Sequence, residues 1–177
     1  MLITLSGLPG SGTSTVARAA ASRLGLAHLD GGTVFREMAS ERGLTLAAFA
    51  RLAEDDDAID RALDQRLLAR AQVGDVLLES RLAGWLATQG DVPALRVWIA
   101  CDDHERARRV GGRDGHEHAE AVAANAEREA SERRRYQAFY GIDLTDLSIY
   151  DLVVDSTATA PDVIVERIID HAAARFA

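Results

Sequence analysis

No lysine occurs in this chain of 177 residues: all 20 basic side chains are arginine, against 28 acidic ones. Every cationic side-chain contact near neutral pH therefore rests mainly on a planar guanidinium that keeps its proton. Cysteine is scarce as well, and Cys101 alone cannot close an internal disulfide, which fits a reducing compartment. As a small apolar residue near a strand end it needs no further role. No apolar run approaches the roughly 18 residues of a membrane span, and the N-terminus lacks the basic flank of a signal peptide, so a cytoplasmic protein is expected. Internal repeats and low-complexity linkers are missing too, and 47% apolar content suits one soluble domain with a sizeable core. A net charge of −8 argues against general nucleic-acid binding.

What the chain does have is a glycine-rich turn at its start. The stretch Gly7-Leu8-Pro9-Gly10-Ser11-Gly12-Thr13-Ser14-Thr15 follows an apolar run over 2–6 and opens a helical segment over 16–24. Strand, glycine turn and helix in that order are what a phosphate-binding P-loop requires, because glycines let several amides point at one anion while the helix dipole adds to the attraction. Ser14 falls where such loops place a Mg²⁺ ligand. Where the motif asks for lysine there is Thr13. Avoidance of lysine would put arginine there, so the missing charge has to come from arginines elsewhere.

Further along, strands are expected over 26–30, 76–79, 95–100 and 150–155. Gly31 and Gly32 are expected to close the first of these. Helices are predicted over 34–42, ending at Gly43, then over 46–53 after Thr45, and over 58–71 after a solvated acidic turn at Asp55-Asp56-Asp57. Asp102 with Glu105 three residues on reads as the start of a helix that Gly111-Gly112-Arg113-Asp114-Gly115 interrupts. A polar helix is expected over 116–140, and a last one from Pro161. Five strands, each followed by helical material, imply an α/β three-layer P-loop NTPase fold: a five-stranded parallel sheet with helices on both faces. Two excursions, an acceptor flap over 31–73 and a lid over 111–146, suit a small-molecule phosphotransferase within a single domain.

Glu79 ends a buried strand and Arg81 sits two residues beyond, so both should face the crevice of the glycine-rich turn. Arg106, Arg109 and Arg113 share one helical face, and Arg128 and Arg135 lie two turns apart on another. Some arginines of this region should pair with Glu127, Glu129 and Glu132 on solvated faces. Cationic stripes on either side of a glycine-rich break suit a lid closing over polyphosphate. His104, His116 and His118 lack the spacing of a zinc site, and Trp85 reads as a packing residue.

The glycine-rich turn, Val34-Phe35-Arg36-Glu37-Met38-Ala39, Glu79-Ser80-Arg81-Leu82-Ala83-Gly84-Trp85, and the stretch from Arg135-Tyr136 through Tyr140-Gly141-Ile142-Asp143 to Asp146-Leu147-Ser148-Ile149-Tyr150-Asp151-Leu152 resemble the archaeal-type cytidylate kinases over about residues 2–157. That family also carries threonine in place of the P-loop lysine; it has glycine where this chain has Ser80. The resemblance implies a cytoplasmic P-loop kinase that moves the γ-phosphoryl group of ATP to CMP or dCMP with Mg²⁺; a monomer with no nucleic-acid or membrane partner is expected. On this basis the amides from Pro9 to Ser14 cradle the β-phosphate and Ser14 holds Mg²⁺. Arg36, Arg81 and one of Arg128 and Arg135 hold the acceptor phosphate, while Arg106, Arg109 and Arg113 close on the phosphates of ATP. Glu79 could orient Arg81, touch the acceptor or hold water around Mg²⁺. Alternatives are another nucleoside monophosphate, a hydroxyl acceptor with Asp30 as base, or a non-catalytic nucleotide-binding regulator; Asp30 also suits a helix cap.

Overall fold

The computed structural model describes residues 1–114 and 118–177, with the side chains of 112–114, 118–121, 124 and 125 also outside the description. Five parallel strands, β1 (Leu2–Gly7), β2 (Ala27–Asp30), β3 (Val76–Glu79), β4 (Leu95–Ala100) and β5 (Leu152–Asp155), lie in the order β2-β3-β1-β4-β5. α1 (Thr13–Leu24) follows β1. Between β2 and β3 come α2 (Gly31–Glu41), α3 (Leu46–Asp55) and α4 (Asp57–Ala71), and α5 (Ala83–Gln89) precedes β4. α6 (Asp103–Asp114) and α7 (His118–Tyr140) separate β4 from β5, and α8 (Pro161–Phe176) comes last.

The two-residue period of the strands divides the core. Ile3, Leu5, Leu77, Val97 and Ile99 pack with Val16, Ala20, Ile164 and Ile168 of α1 and α8. Leu2, Val76 and Leu78 turn the other way, onto Val34, Phe49, Ile59 and Leu67 of α2, α3 and α4. With both faces covered, β1 is buried along its whole length. All five strands point one way, so Gly7, Asp30 and Glu79 reach the same edge, with Glu79 in register beside Asp30 on one side and Leu5 on the other.

Several element boundaries differ from the sequence expectation, three of them for a local reason. Gly31 and Gly32 do not end β2 as a loop but open α2, because the Asp30 carboxylate accepts the Gly32 and Thr33 amides at 2.9 and 3.1 Å. α6 runs through Gly111 and Gly112 to Asp114. Each of these glycines costs about 1 kcal/mol against alanine in a helix, a cost that burial of Ala107 and Val110 offsets. The expected interruption therefore does not begin there, and His116 lies outside the described residues. Finally, β5 starts at Leu152, since the Tyr150 amide closes a turn onto Leu147 O at 3.1 Å. The Tyr150 ring packs against Trp98 with centroids 5.3 Å apart.

Helix α7 is fastened to the excursion formed by α2, α3 and α4. The Tyr140 hydroxyl donates to Asp64, Arg135 pairs with Asp60 at 3.1 Å, Arg61 Nη2 reaches Phe139 O at 3.1 Å, and Ser131 Oγ donates to Glu54 at 2.5 Å. Burial raises the Asp64 carboxyl to about 7, with the Tyr140 hydroxyl pulling against that rise. A carboxyl raised on folding favours the native state while protonated. Its contribution is complete below the unfolded value of about 4 and is lost as pH rises through about 7. Asp64→Asn imitates the neutral form, so its melting temperature relative to wild type should improve between pH 5 and pH 8. Thermal unfolding at both values checks this, and an equal difference at the two would show that Asp64 does not titrate in that window.

Candidate active site

Gly7 closes β1 tightly: a Cβ there would lie 2.8 Å from Ile99 O, and one on Gly10 would lie 2.5 Å from Arg106 O. Gly10 and Gly12 have φ of 84° and 90°, the left-handed region that glycine enters without strain. Gly12 occupies the N-cap of α1 and offers no side chain to the first-turn amides, which stay available to an anion. The donor set is narrower than the run from Pro9 to Ser14 suggests. Pro9 has no amide hydrogen, and Ser11 N donates to Leu8 O at 3.1 Å. The amides of Gly10, Gly12, Thr13 and Ser14 remain. Leu8 and Thr15 bound this set, Leu8 through its carbonyl and Thr15 through an amide spent on Gly12 O at 3.1 Å.

With its amides turned inward, the loop must place its carbonyls elsewhere. Arg81 Nη1 donates to Gly7 O, Arg106 Nη1 to Pro9 O at 3.0 Å, and Ser156 Oγ to Ser11 O at 2.8 Å. Arg109 steadies that last contact, donating to Ser156 Oγ at 3.2 Å and to Ser156 O at 2.8 Å. Arg106 is 4% exposed; Glu129 takes both its Nη atoms and Asp103 takes Nη2 at 2.7 Å. Burial works against its charge, but Glu129 and Asp103 more than compensate and raise its pKa. Arg106 and Arg109 thus brace the loop from outside, rather than standing free to close on a donor nucleotide. The Arg113 side chain lies outside the described residues.

Ser14 Oγ donates to Glu79 Oε1 at 2.6 Å, and His28 Nε2 lies 2.8 Å from Glu79 Oε2. Of the three roles open to Glu79, orienting Arg81 does not match this geometry, because the partner of Arg81 is Glu132. A hydroxyl and a buried carboxylate side by side next to phosphate-seeking amides form a hard oxygen set that fits Mg²⁺.

Arg81 Nε donates to Glu132 Oε2 at 2.8 Å, and Arg128 Nε to Glu132 Oε1 at 2.9 Å. Burial pushes the Glu132 carboxyl up, yet Arg81 and Arg128 outweigh it and hold the carboxyl below its ordinary value. Arg81 likewise keeps a raised pKa despite desolvation, with Glu132 the main opposing cause. Arg135 goes elsewhere, paired with the buried Asp60. Arg36, midway along α2 and exposed, turns its side chain back to the start of that helix, onto Thr33 Oγ1 at 2.8 Å and Asp30 Oδ2 at 3.3 Å. The structure therefore unites Arg81 and Arg128 but not Arg36 or Arg135 with them. Glu129 and Glu132, expected on solvated faces, lie inward against the arginines of the loop; their spacing from nearby arginines was visible in sequence, their burial was not.

Among known proteins, the model of the cytidylate kinase-like family matches residues 2–158. Cytidylate kinase of Halobacterium salinarum is 44% identical over 171 residues, spanning 96% of this chain and 88% of its own. The enzyme of that name from Pyrococcus furiosus is 44% identical over 174 residues, with 97% and 89% covered, and that of Haloquadratum walsbyi 48% over 177 residues, with 99% and 91% covered. Shikimate kinase of Bacteroides thetaiotaomicron superposes with a TM-score of 0.66 at 14% identity over 96% of this chain and 97% of its own, which shows a shared fold. A parallel sheet with a braced P-loop, and similarity along almost the whole length, place the chain in one group: it belongs to the cytidylate kinase-like family.

Proposed function

We propose that this protein transfers the γ-phosphoryl group of ATP to CMP or dCMP, giving ADP and CDP or dCDP. The observation that carries this reading is the meeting of Arg81 and Arg128 on one carboxylate next to the phosphate loop. Two guanidiniums held side by side are suited to an anionic acceptor. The curated cytidylate kinases from haloarchaea and Pyrococcus support the choice of cytidylate.

In this reading the amides of Gly10, Gly12, Thr13 and Ser14 hold the β-phosphate of ATP. Ser14 and Glu79 hold Mg²⁺, which when bound neutralises phosphate charge. Arg81 and Arg128, with Arg36 reaching in from the flap, bind the acceptor phosphate and aim one of its oxygens at the γ-phosphorus. That oxygen is already ionised at neutral pH, so no general base is required. Asp30 serves instead as a helix cap, its two oxygens spent on the Gly32 and Thr33 amides and the Thr33 hydroxyl, which disfavours a hydroxyl acceptor. Arg106 and Arg109 act by holding the loop in its amide-inward form. Residues 31–73 serve as the acceptor flap and 111–146 as the lid. The working unit is a monomer in the cytoplasm, free of nucleic acid and membrane; among the described residues no helix is long and apolar enough to cross a bilayer.

ADP release from MgATP with CMP, dCMP, UMP, AMP, shikimate, gluconate and no acceptor tests the reaction class. CMP or dCMP should far exceed the blank, while a response confined to an alcohol would overturn the proposal. Arg81→Ala should lower kcat/KM for the acceptor at least 30-fold, about 2 kcal/mol; a loss within threefold would remove Arg81 from the acceptor phosphate. Thr13→Lys should leave activity unchanged or lower, because guanidiniums already supply the positive charge. A large gain in kcat would mean that the charge was missing.

A further inference from the structure

The acceptor-side arginines share a partner whose placement is unlike that of a surface ion pair. Glu132 is only 6% exposed, on the face of α7 turned toward the phosphate loop, and each of its two oxygens takes the Nε of a different arginine. Arg81 comes from the segment after β3, 51 residues away, and Arg128 from one turn earlier on α7 itself. Gripping both by Nε leaves the outer ends of the guanidiniums facing away from the carboxylate. Arg81 spends Nη1 on Gly7 O; among the described residues its Nη2 and both Nη atoms of Arg128 take no acceptor.

Arg106, at the same loop, provides the contrast. Both of its Nη atoms are occupied, by Pro9 O, Glu129 and Asp103, which suits a brace. Arg81 and Arg128 retain spare donors, which suits a pair awaiting an anion. Two like charges do not settle side by side unaided, and a carboxylate with one oxygen for each both cancels their repulsion and fixes their spacing. Two guanidiniums and one carboxylate sum to a single positive charge, so the trio still attracts a phosphate.

We propose that Glu132 is the positioning residue of the acceptor site: by binding Arg81 and Arg128 through their Nε atoms it sets the outer nitrogens of both to receive one phosphate. The proposal rests on the reading of those arginines as the acceptor-phosphate pair. Glu132 acts through them and does not touch the substrate.

The test uses the full chain and the nucleoside monophosphate that wild type turns over fastest. Glu132→Gln keeps the size and one acceptor oxygen, and should raise the KM for that acceptor at least tenfold while the KM for ATP stays within about twofold. Calorimetric titration should show the same loss for acceptor binding, with binding of a non-hydrolysable ATP analogue retained as the sign of an intact fold. Glu132→Asp, which keeps the charge on a shorter stem, should recover part of the loss. Combining Glu132→Gln with Arg128→Ala should cost less than the product of the two single losses, because both break the same arrangement. Parallel loss of ATP-analogue and acceptor binding in Gln and Asp variants alike would reduce Glu132 to a structural pair, and multiplicative effects with Arg128→Ala would overturn the shared mechanism. A wild type that binds and converts no nucleoside monophosphate would overturn the acceptor reading itself, an outcome visible before any variant is made.

Discussion

A loop that turns its amides toward an anion has to send its carbonyls somewhere, and here they go to donors drawn from far along the chain. Gly7 O, Pro9 O and Ser11 O are met by Arg81, Arg106 and Ser156. Two of these donors are charged, and hydrogen bonds of that kind contribute roughly 1.5–3 kcal/mol each, enough to prefer one loop conformation strongly over its neighbours. Much else in the molecule follows from this requirement. The segment after β3, helix α6 and the turn after β5 all have to arrive at one short loop, and parallel strands with a common C-terminal edge are what bring them there.

The same geometry explains what arginine contributes to the phosphate loop of a chain without lysine. Arginine brings five donors in a flat fork, so one side chain can grip a carbonyl and a carboxylate at once, as Arg106 does with Pro9 O and Glu129. Burying such forks requires carboxylates, and α7 provides Glu129 and Glu132 one turn apart. Loss of a carboxylate from a buried pair leaves an uncompensated charge behind, which costs more than the pair itself is worth. Acid and base in this region therefore stand or fall together.

Most of the architecture was readable from residues alone. Apolar runs marked the strands, and Thr45, Asp56 and Asp102 cap the helices that follow them, with Gly43 just past the end of another. Local signals were weakest where glycine did not mark a turn: Gly31 looked like the end of β2 yet opens α2, and Gly111 and Gly112 looked like a break yet lie inside α6. The site itself was legible as a set of arginines, not as an arrangement. Spacing on α7 allowed Arg128 to pair with Glu132 but could not reveal that Arg81 would occupy the other oxygen, because that contact depends on how the sheet and α7 pack. Nor could it choose between Arg128 and Arg135, which part company only when Asp60 is buried opposite Arg135.

The contact between Gly31 and Ser80 has a bearing on how such a site can change over time. A Cβ on residue 31 would fall 2.8 Å from the Ser80 Cβ, so the space that Ser80 occupies beside β3 exists because position 31 is bare. The two positions are one steric choice. With the backbone as it stands, a side chain at position 80 fits only while position 31 is glycine, and a side chain at position 31 would also press on Glu79 O and Leu67 Cδ1, each 3.3 Å away. Two positions far apart in sequence thus share one pocket of space at the root of the flap, and a substitution at either is felt first at the other.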